Sequence, residues 1–409
     1  MADELGVWLY GSCVAVIDRE RDRPRLAYTE EALARYPLGT PLLSLSLPLA
    51  NRRYTQGVVR PFLDGLLPEG ESRTAIARDV AVSPADTYGL IRALGRDCAG
   101  AIVIQPADEA PPQPPTTLTA ERLDDEGLAA LVRDLRSAPL GVGGRVRVSL
   151  AGVQEKLVLT RMPDGAWGRP VDGTPSTHIL KPEIAAFPNT VENEAFCMRL
   201  ARHLGLATAA VETTEIAGRK VIVVERFDRR VSADGRVERV HQEDFCQATG
   251  APPETKYEEN GGPSLSRIAG ILAIVAQPDA LENLLGAVTV NALIGNGDAH
   301  AKNFSLLHTP SGALALAPLY DLLSTLQYND DRLAMYIDNV HRTNRVTVER
   351  IVNEAASWGV PRDRATTIVE ELLSKAPDAI ARAADDTAGV PVGLIETVDN
   401  QLAQLRSND

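Results

Sequence analysis

The stretch NGDAHAKNFSLLH, Asn296 to His308, carries a carboxylate at Asp298 and a carboxamide at Asn303 with four residues between them. That spacing suits a loop in which the carboxylate accepts the proton of an attacking hydroxyl while the amide oxygen faces a Mg²⁺ ion on a triphosphate. Upstream, Leu281 to Ile294 reads as a helix closed by Gly295 and Gly297, which would deliver Asp298 to its place. Downstream, Phe304 to His308 reads as a strand, Thr309 to Gly312 as a turn and Ala313 to Pro318 as the returning strand. Such a hairpin brings Asp321 back beside Asn303, so three oxygen-bearing side chains converge. Asn-Gly-Asp is also ordinary turn chemistry. A hydrolytic metal site on Asp298 and His300 lacks a second histidine at ligand spacing.

Working outward, Arg147 to Ser149 and Lys156 to Thr160 read as strands joined across AGVQE, and His178 to Lys181 as a third. Val191 to Leu204 has the spacing of an amphipathic helix, followed by strands Ala210 to Ile216 and Lys220 to Val224. This order, a glycine-containing turn, a strand with lysine, a helix with acid and then a hairpin, is the layout of a kinase N-lobe; the mainly helical remainder suits a C-lobe. The turn residues Ala151, Gly152, Val153 and Gln154 offer backbone N–H groups to phosphates, although one glycine makes a weak signal that is more often an ordinary hairpin turn. Lys181 can neutralise phosphate charge if its strand faces a cleft, and a solvated lysine is the plainer alternative. Glu194 is the natural candidate to orient it, and Glu192 is also near enough in sequence to serve. Lys302 can reach the transferring phosphate or be a surface lysine, and His300 shares its loop. The backbone at Glu225 and Phe227 can meet an adenine edge.

The motifs SLAGVQEKLVL, HILKP, the Asn193-Glu194 helix, VVERFDR, HQEDFCQATG, KYEENGGPS, GNGDAHAKNFS and LAPLYDLLS occur in the order found in the HipA family, which the chain resembles. LSLSLPL, FLDGLLPEG and LGRDCAGAIVI resemble the domain that precedes the kinase in full-length members. The resemblance implies an α+β, bilobal protein-kinase-like fold and a serine/threonine-protein kinase using ATP and Mg²⁺. It implies Asp298 as base, Asn303 and Asp321 on Mg²⁺, Lys181 on phosphate, and Glu225 with Phe227 at the adenine. His300, Lys302 and the turn residues Ala151 to Gln154 fall with the nucleotide contacts. The family autophosphorylates a serine in its glycine-containing loop, and Ser149 is the matching position. Members pair as toxins with a small HipB-like helix-turn-helix antitoxin whose dimer binds operator DNA, and their known substrates include aminoacyl-tRNA synthetases. The HRD and DFG strings of ordinary kinases are absent, which puts activation-loop control of the usual kind in doubt.

At 409 residues the chain suits two or three packed units. The motifs divide it into an N-terminal α+β module (1–105), a Pro-rich linker (106–118), an N-lobe (119–228) and a helical C-lobe (229–409). A net charge of −13 opposes broad attraction to nucleic acid or anionic lipid, so contact with operator DNA is expected mainly through the antitoxin. The four cysteines lack a CxxC pair, and no run approaches the ~18 apolar residues of a membrane span; a reduced, cytoplasmic protein is expected. The apolar stretches Tyr36 to Asn51 and Ile268 to Ala276 read as buried core, with Leu42 to Leu47 as a strand. Gly-Asp-x-His-x-x-Asn also fits aminoglycoside and choline phosphotransferases, and a catalytically silent corepressor is a third alternative.

Overall fold

The computed structural model describes residues 4–21, 23–112, 120–135, 139–140, 148–152, 154–232, 236–308 and 313–407. The expectations placed on Arg147, Val153, the turn Thr309 to Gly312 and part of the Pro-rich segment lie outside those residues. The architecture is mixed α+β, as the motifs imply. The chain divides into two compact units: residues 1–182, 215–219 and 228–254 form the first, and 183–214, 220–227 and 255–409 the second.

In the first unit, strands Leu5–Leu9, Ser12–Glu20 and Arg23–Tyr28 form an antiparallel meander, with Ile102–Pro106 and Arg53–Tyr54 completing a five-stranded sheet. Alternating apolar residues such as Leu5, Val7, Ile17 and Leu26 turn one face inward against Phe62, Leu63, Tyr88 and Ile91, which come from short helices. Within Tyr36 to Asn51, Leu42, Leu43, Ser44, Leu47 and Leu49 are buried but Leu38 is 68% exposed, so that stretch is not wholly core, and Leu42 to Leu47 forms bends and turns instead of the expected strand. Its backbone bonds are taken up locally and by side chains: Leu47 N–H donates to Ser44 O at 3.1 Å, and Leu45 N–H donates to the Glu243 carboxylate at 3.0 Å. A second group of strands in this unit runs in the order His178–Pro182, Leu157–Arg161, Trp167–Arg169, Glu121–Arg122. Val148 and Ser149 do not pair with Leu157–Arg161. Val148 bridges Asp97 and Gly152 bridges Pro68, so the described part of the glycine-containing loop docks on the N-terminal module.

The second unit is built round the helix Ala280–Ile294, whose residues from Leu284 onward are buried. A helix apolar on nearly every side is stable only when surrounded. The helices Arg362–Asp386, Val392–Leu405, Val348–Ser357 and Leu265–Val275 pack on it, and Arg362–Asp386 also covers Thr190–His203. Ile268 and Leu272 are buried as expected, but Ile274 on the same helix is 85% exposed, so that stretch is not wholly core. The hairpin Val211–Ile216 with Arg219–Glu225 belongs to this unit apart from its tip. A second hairpin, Arg332–Ile337 with Val340–Arg342, was not apparent in the sequence pattern. No helix among the described residues is long and apolar enough to cross a membrane, and all four cysteines are free.

Candidate active site

The helix Ala280–Ile294 ends at Gly295, whose φ of +63° turns the chain in the left-handed conformation that glycine adopts without a Cβ penalty. Two residues on, a Cβ at Gly297 would stand 2.3 Å from Arg332 O, so the close approach admits glycine alone. Gly297 N–H donates to Thr325 Oγ1 at 2.9 Å, and its carbonyl accepts from Ala334 N–H at 2.8 Å. Asn296 completes the turn: its Oδ1 accepts from Asp298 N–H at 3.0 Å while its Nδ2 donates to Asn291 Oδ1 at 2.8 Å. Asp298 therefore leaves the helix on a backbone held at several points.

The Asp298 carboxylate accepts a hydrogen bond from Tyr257 Oη at 2.7 Å. Burial pushes its pKa above the ordinary carboxylate value; the Tyr257 bond and Lys256 pull it down, while the charges of Asp321 and Asp330 push it up. Asp321 is thus near enough for its charge to be felt at Asp298. The expected hairpin forms between Ser305–His308 and Leu314–Leu316, with Leu306 opposite Leu316 and His308 opposite Leu314. Beyond it, Tyr320 Oη donates to Lys302 O at 2.6 Å and lies 2.7 Å from Ser305 Oγ, which ties the segment preceding Asp321 to the loop that carries Asp298 and Asn303.

Asn303 Nδ2 donates to the Asp298 carbonyl at 3.1 Å, which fixes the amide and leaves Oδ1 as its atom for a cation. An amide oxygen and the Asp321 carboxylate are hard donors of the kind Mg²⁺ takes when phosphate and water supply its remaining ligands. These residues fit Mg²⁺. Among the described residues no group of three or more His, Cys, Asp or Glu side chains forms a metal cluster of its own. His300 and Lys302 are buried in the same loop, with the His300 ring edge-on to Tyr257 at 5.3 Å. Glu225 is exposed, and its N–H donates to Ala210 O at 2.9 Å; the Phe227 ring lies 5.3 Å from that of Tyr320.

Glu192 is engaged by Lys220 Nζ at 2.6 Å. Glu194 is buried one residue beyond Asn193 on the same helix. Tyr257, Tyr320, Asn296 and Asn193 were given no role by spacing; for Tyr257 the only signal was its place in KYEENGGPS.

The remaining expected residues belong to the first unit. Lys181 is buried on His178–Pro182. Ser149 is 0% exposed: its Oγ donates to Leu66 O at 2.7 Å and its N–H to Asp97 O at 2.9 Å. Ala151 O accepts from Lys156 Nζ at 2.6 Å, and Gly152 O accepts from Glu69 N–H at 3.2 Å. Gln154 is half-buried.

Residues 148–380 match the HipA-like C-terminal domain model, and residues 5–105 match the HipA N-terminal domain model. The chain belongs to the HipA family. It is 41% identical over 401 residues to "Putative kinase Y4mE" of Sinorhizobium fredii, an alignment covering 94% of this chain and 92% of that one. It is 34% identical over 356 residues to "Serine/threonine-protein kinase toxin HipA" of Shewanella oneidensis, covering 83% of this chain and 80% of that protein. Among solved structures, the complex of Shewanella oneidensis HipA with HipB and operator DNA contains a chain that superimposes with a TM-score of 0.80 at 30% identity, over 98% of this chain and 95% of that one. The HipA-type domain models thus cover both the N-terminal module and the loop that carries Asp298.

Proposed function

We propose that this HipA-family chain is a serine/threonine-protein kinase that uses ATP and Mg²⁺ and acts as the toxin of a toxin-antitoxin pair. The observation that carries this reading is the grouping of Asp298, Asn303 and Asp321, two of them fixed by hydrogen bonds from Tyr257 Oη and to the Asp298 carbonyl. Asp298 accepts the proton of the attacking hydroxyl, and Tyr257 keeps its carboxylate aimed while favouring the charged, basic form. Asn303 Oδ1 and Asp321 would hold Mg²⁺, which when bound neutralises charge on the β- and γ-phosphates. Because the Glu225 N–H is used by Ala210 O, its carbonyl is the group available to an adenine amine, with Phe227 N–H as the complementary donor. Lys181, Lys302, His300 and the turn from Ala151 to Gln154 complete the nucleotide contacts in this proposal. With Glu192 held by Lys220, Glu194 is the better candidate to orient Lys181. The domain limits 1–105, 106–118, 119–228 and 229–409 belong to the same reading.

Ser149 is proposed as an autophosphorylation site. Its buried hydroxyl proton is spent on Leu66 O, and a phosphate at that atom would replace a donor with nearly two negative charges beside carbonyl oxygens. The loop would leave its seat, and nucleotide binding would fail. A HipB-like antitoxin supplies most of the contact with operator DNA, consistent with the chain's charge of −13, and a translation protein such as an aminoacyl-tRNA synthetase is the proposed substrate in the cytoplasm.

Brief induction of the parent and of Asp298→Ala, followed by quantitative phosphoproteomics, tests the proposal. A serine or threonine site rising in the parent alone is expected, together with growth arrest in the parent alone. Labelled phosphate passing only to purified metabolites would favour a small-molecule phosphotransferase, and equal toxicity of both proteins would favour a silent corepressor.

A further inference from the structure

Asn193 is 1% exposed near the start of the helix Thr190–His203, and Ser324 is fully buried three residues after Asp321. The Asn193 side chain treats Ser324 as a neighbouring strand would. Its Nδ2 donates to Ser324 O at 2.9 Å, and its Oδ1 accepts from Ser324 N–H at 2.8 Å. A carboxamide offers a donor and an acceptor side by side, so one side chain satisfies both backbone groups of a residue 131 positions away. The same Nδ2 lies 3.3 Å from Tyr328 Oη, and Cys197 Sγ donates to Oδ1 at 3.5 Å, which leaves the amide little freedom to rotate.

What this clamp holds lies next to a backbone in a costly conformation. Asp321 has a φ of +59°, a left-handed conformation that non-glycine residues adopt at an energetic cost when the surroundings impose it. On its upstream side the chain is fixed by Tyr320 Oη to Lys302 O. On its downstream side it is fixed by Asn193. The direction of the Asp321 carboxylate therefore depends on both anchors, and the downstream one belongs to a helix that also engages the strand Arg219–Glu225 through Glu192 and Lys220.

We infer that Asn193 is a positioning residue: it docks the Asp321–Ser324 segment on the helix Thr190–His203 and thereby holds the Asp321 carboxylate in the orientation a metal-nucleotide requires. The inference rests on the kinase reading for its functional consequence, and on the hydrogen bonds alone for its structural one. Asn193 touches neither nucleotide nor metal; it acts through Asp321.

The test uses the full chain with Asn193→Ala and with Asn193→Asp, which keeps an acceptor for Ser324 N–H but sets a carboxylate oxygen against Ser324 O. In the nucleotide-free protein, hydrogen exchange over Asp321–Thr325 should rise about tenfold in Asn193→Ala, the loss expected when buried hydrogen bonds are removed, while Ala280–Ile294 stays protected. In transfer assays the Mg²⁺ concentration for half-maximal rate should rise by about the same factor, with the rate at saturating Mg²⁺ largely restored. Asn193→Asp should match or exceed Asn193→Ala on both measures, because a buried carboxylate facing Ser324 O is repelled as well as unpaired. Unchanged exchange over Asp321–Thr325 would overturn the clamp. A lower rate with an unchanged Mg²⁺ requirement, exchange raised throughout the unit, or failure of both variants to fold would each reduce Asn193 to a structural residue. If the parent itself transfers no phosphate, the kinase reading falls, and the exchange measurement still decides whether Asn193 holds the segment.

Discussion

Among the described residues burial raises the pKa of Asp298 and Glu258 in the second unit and of Glu243 in the first, and of these Asp298 and Glu243 each accept a hydroxyl hydrogen bond. Their settings differ. Glu243 is fully buried, with Ser44 Oγ donating to Oε2 at 2.5 Å and Leu45 N–H donating to Oε1 at 3.0 Å, so its oxygens are committed to one backbone turn. Asp298 keeps partial access to solvent, sits on a loop set by Gly295 and Gly297, and feels the charges of Asp321, Asp330 and Lys256. A raised carboxylate is therefore not by itself a sign of chemistry. In the proposed function the companions decide, because Asp298 has beside it oxygen donors that would suit a metal-nucleotide.

The largest effect should come from Asp298→Asn, which preserves the volume and the Tyr257 contact but removes the base. Phosphoryl transfer should fall by about 10³-fold, within the range that a positioned general base contributes. Thermal melting should be almost unchanged, because the side chain is only partly buried. A variant that retained more than a tenth of the parent rate would show that the two carboxylates are alike after all, and that Asp298 is a structural acid.

Tyr257→Phe should have a smaller effect, because it leaves Asp298 in place and removes only the group that aims it. Loss of a hydrogen bond to a charged acceptor predicts about a tenfold fall in kcat. The Tyr257 bond lowers the Asp298 pKa, so its removal raises that pKa further and moves the acid limb of the rate profile to higher pH. A pH–rate series on both proteins checks the sign. An acid limb that stayed where it was, with kcat reduced, would mean that Tyr257 packs the loop without tuning the base.

Asp298, Asn303 and the hairpin were legible because their relations are short-range: a helix stop, a fixed interval and two alternating runs all lie between Leu281 and Pro318. The helix Thr190–His203 was legible from its apolar period for the same reason. Tyr257 stands 41 positions from the carboxylate it holds, and Asn193 stands 131 from Ser324. No local period encodes such contacts, which depend on where whole elements pack. Leu42 to Leu47 failed for a related reason: its composition suits a strand, but Glu243, 198 positions from Leu45, competes for its backbone donors. Val148 and Ser149 were misassigned to a hairpin because the carbonyls of Asp97 and Leu66, from the N-terminal module, supply their partners.

The smallest effect on transfer should come from Glu243→Gln, which should leave the rate within about twofold of the parent and change instead how stability follows pH. Burial, the largest influence, and Asp244 push Glu243 up to about 7 from an ordinary value of 4.5, while Ser44, the Leu45 N–H and His241 pull it down. Folded protein therefore binds this proton more tightly than unfolded protein does. The stabilisation is fully present below pH 4.5 and is lost as pH rises through about 7. Glutamine has the shape of the protonated acid and no proton to lose, so the variant should melt close to the parent in acid and gain on it through that window, by a few degrees at about pH 8. Melting curves of both proteins at several pH values give the difference directly, and each protein serves as its own control for every other titrating group. A difference that did not change with pH would mean that Glu243 keeps one protonation state throughout. Parallel loss of transfer would mean that the Ser44–Leu45 turn bears on catalysis, and the contrast between the two buried acids would then fail on the side of Glu243.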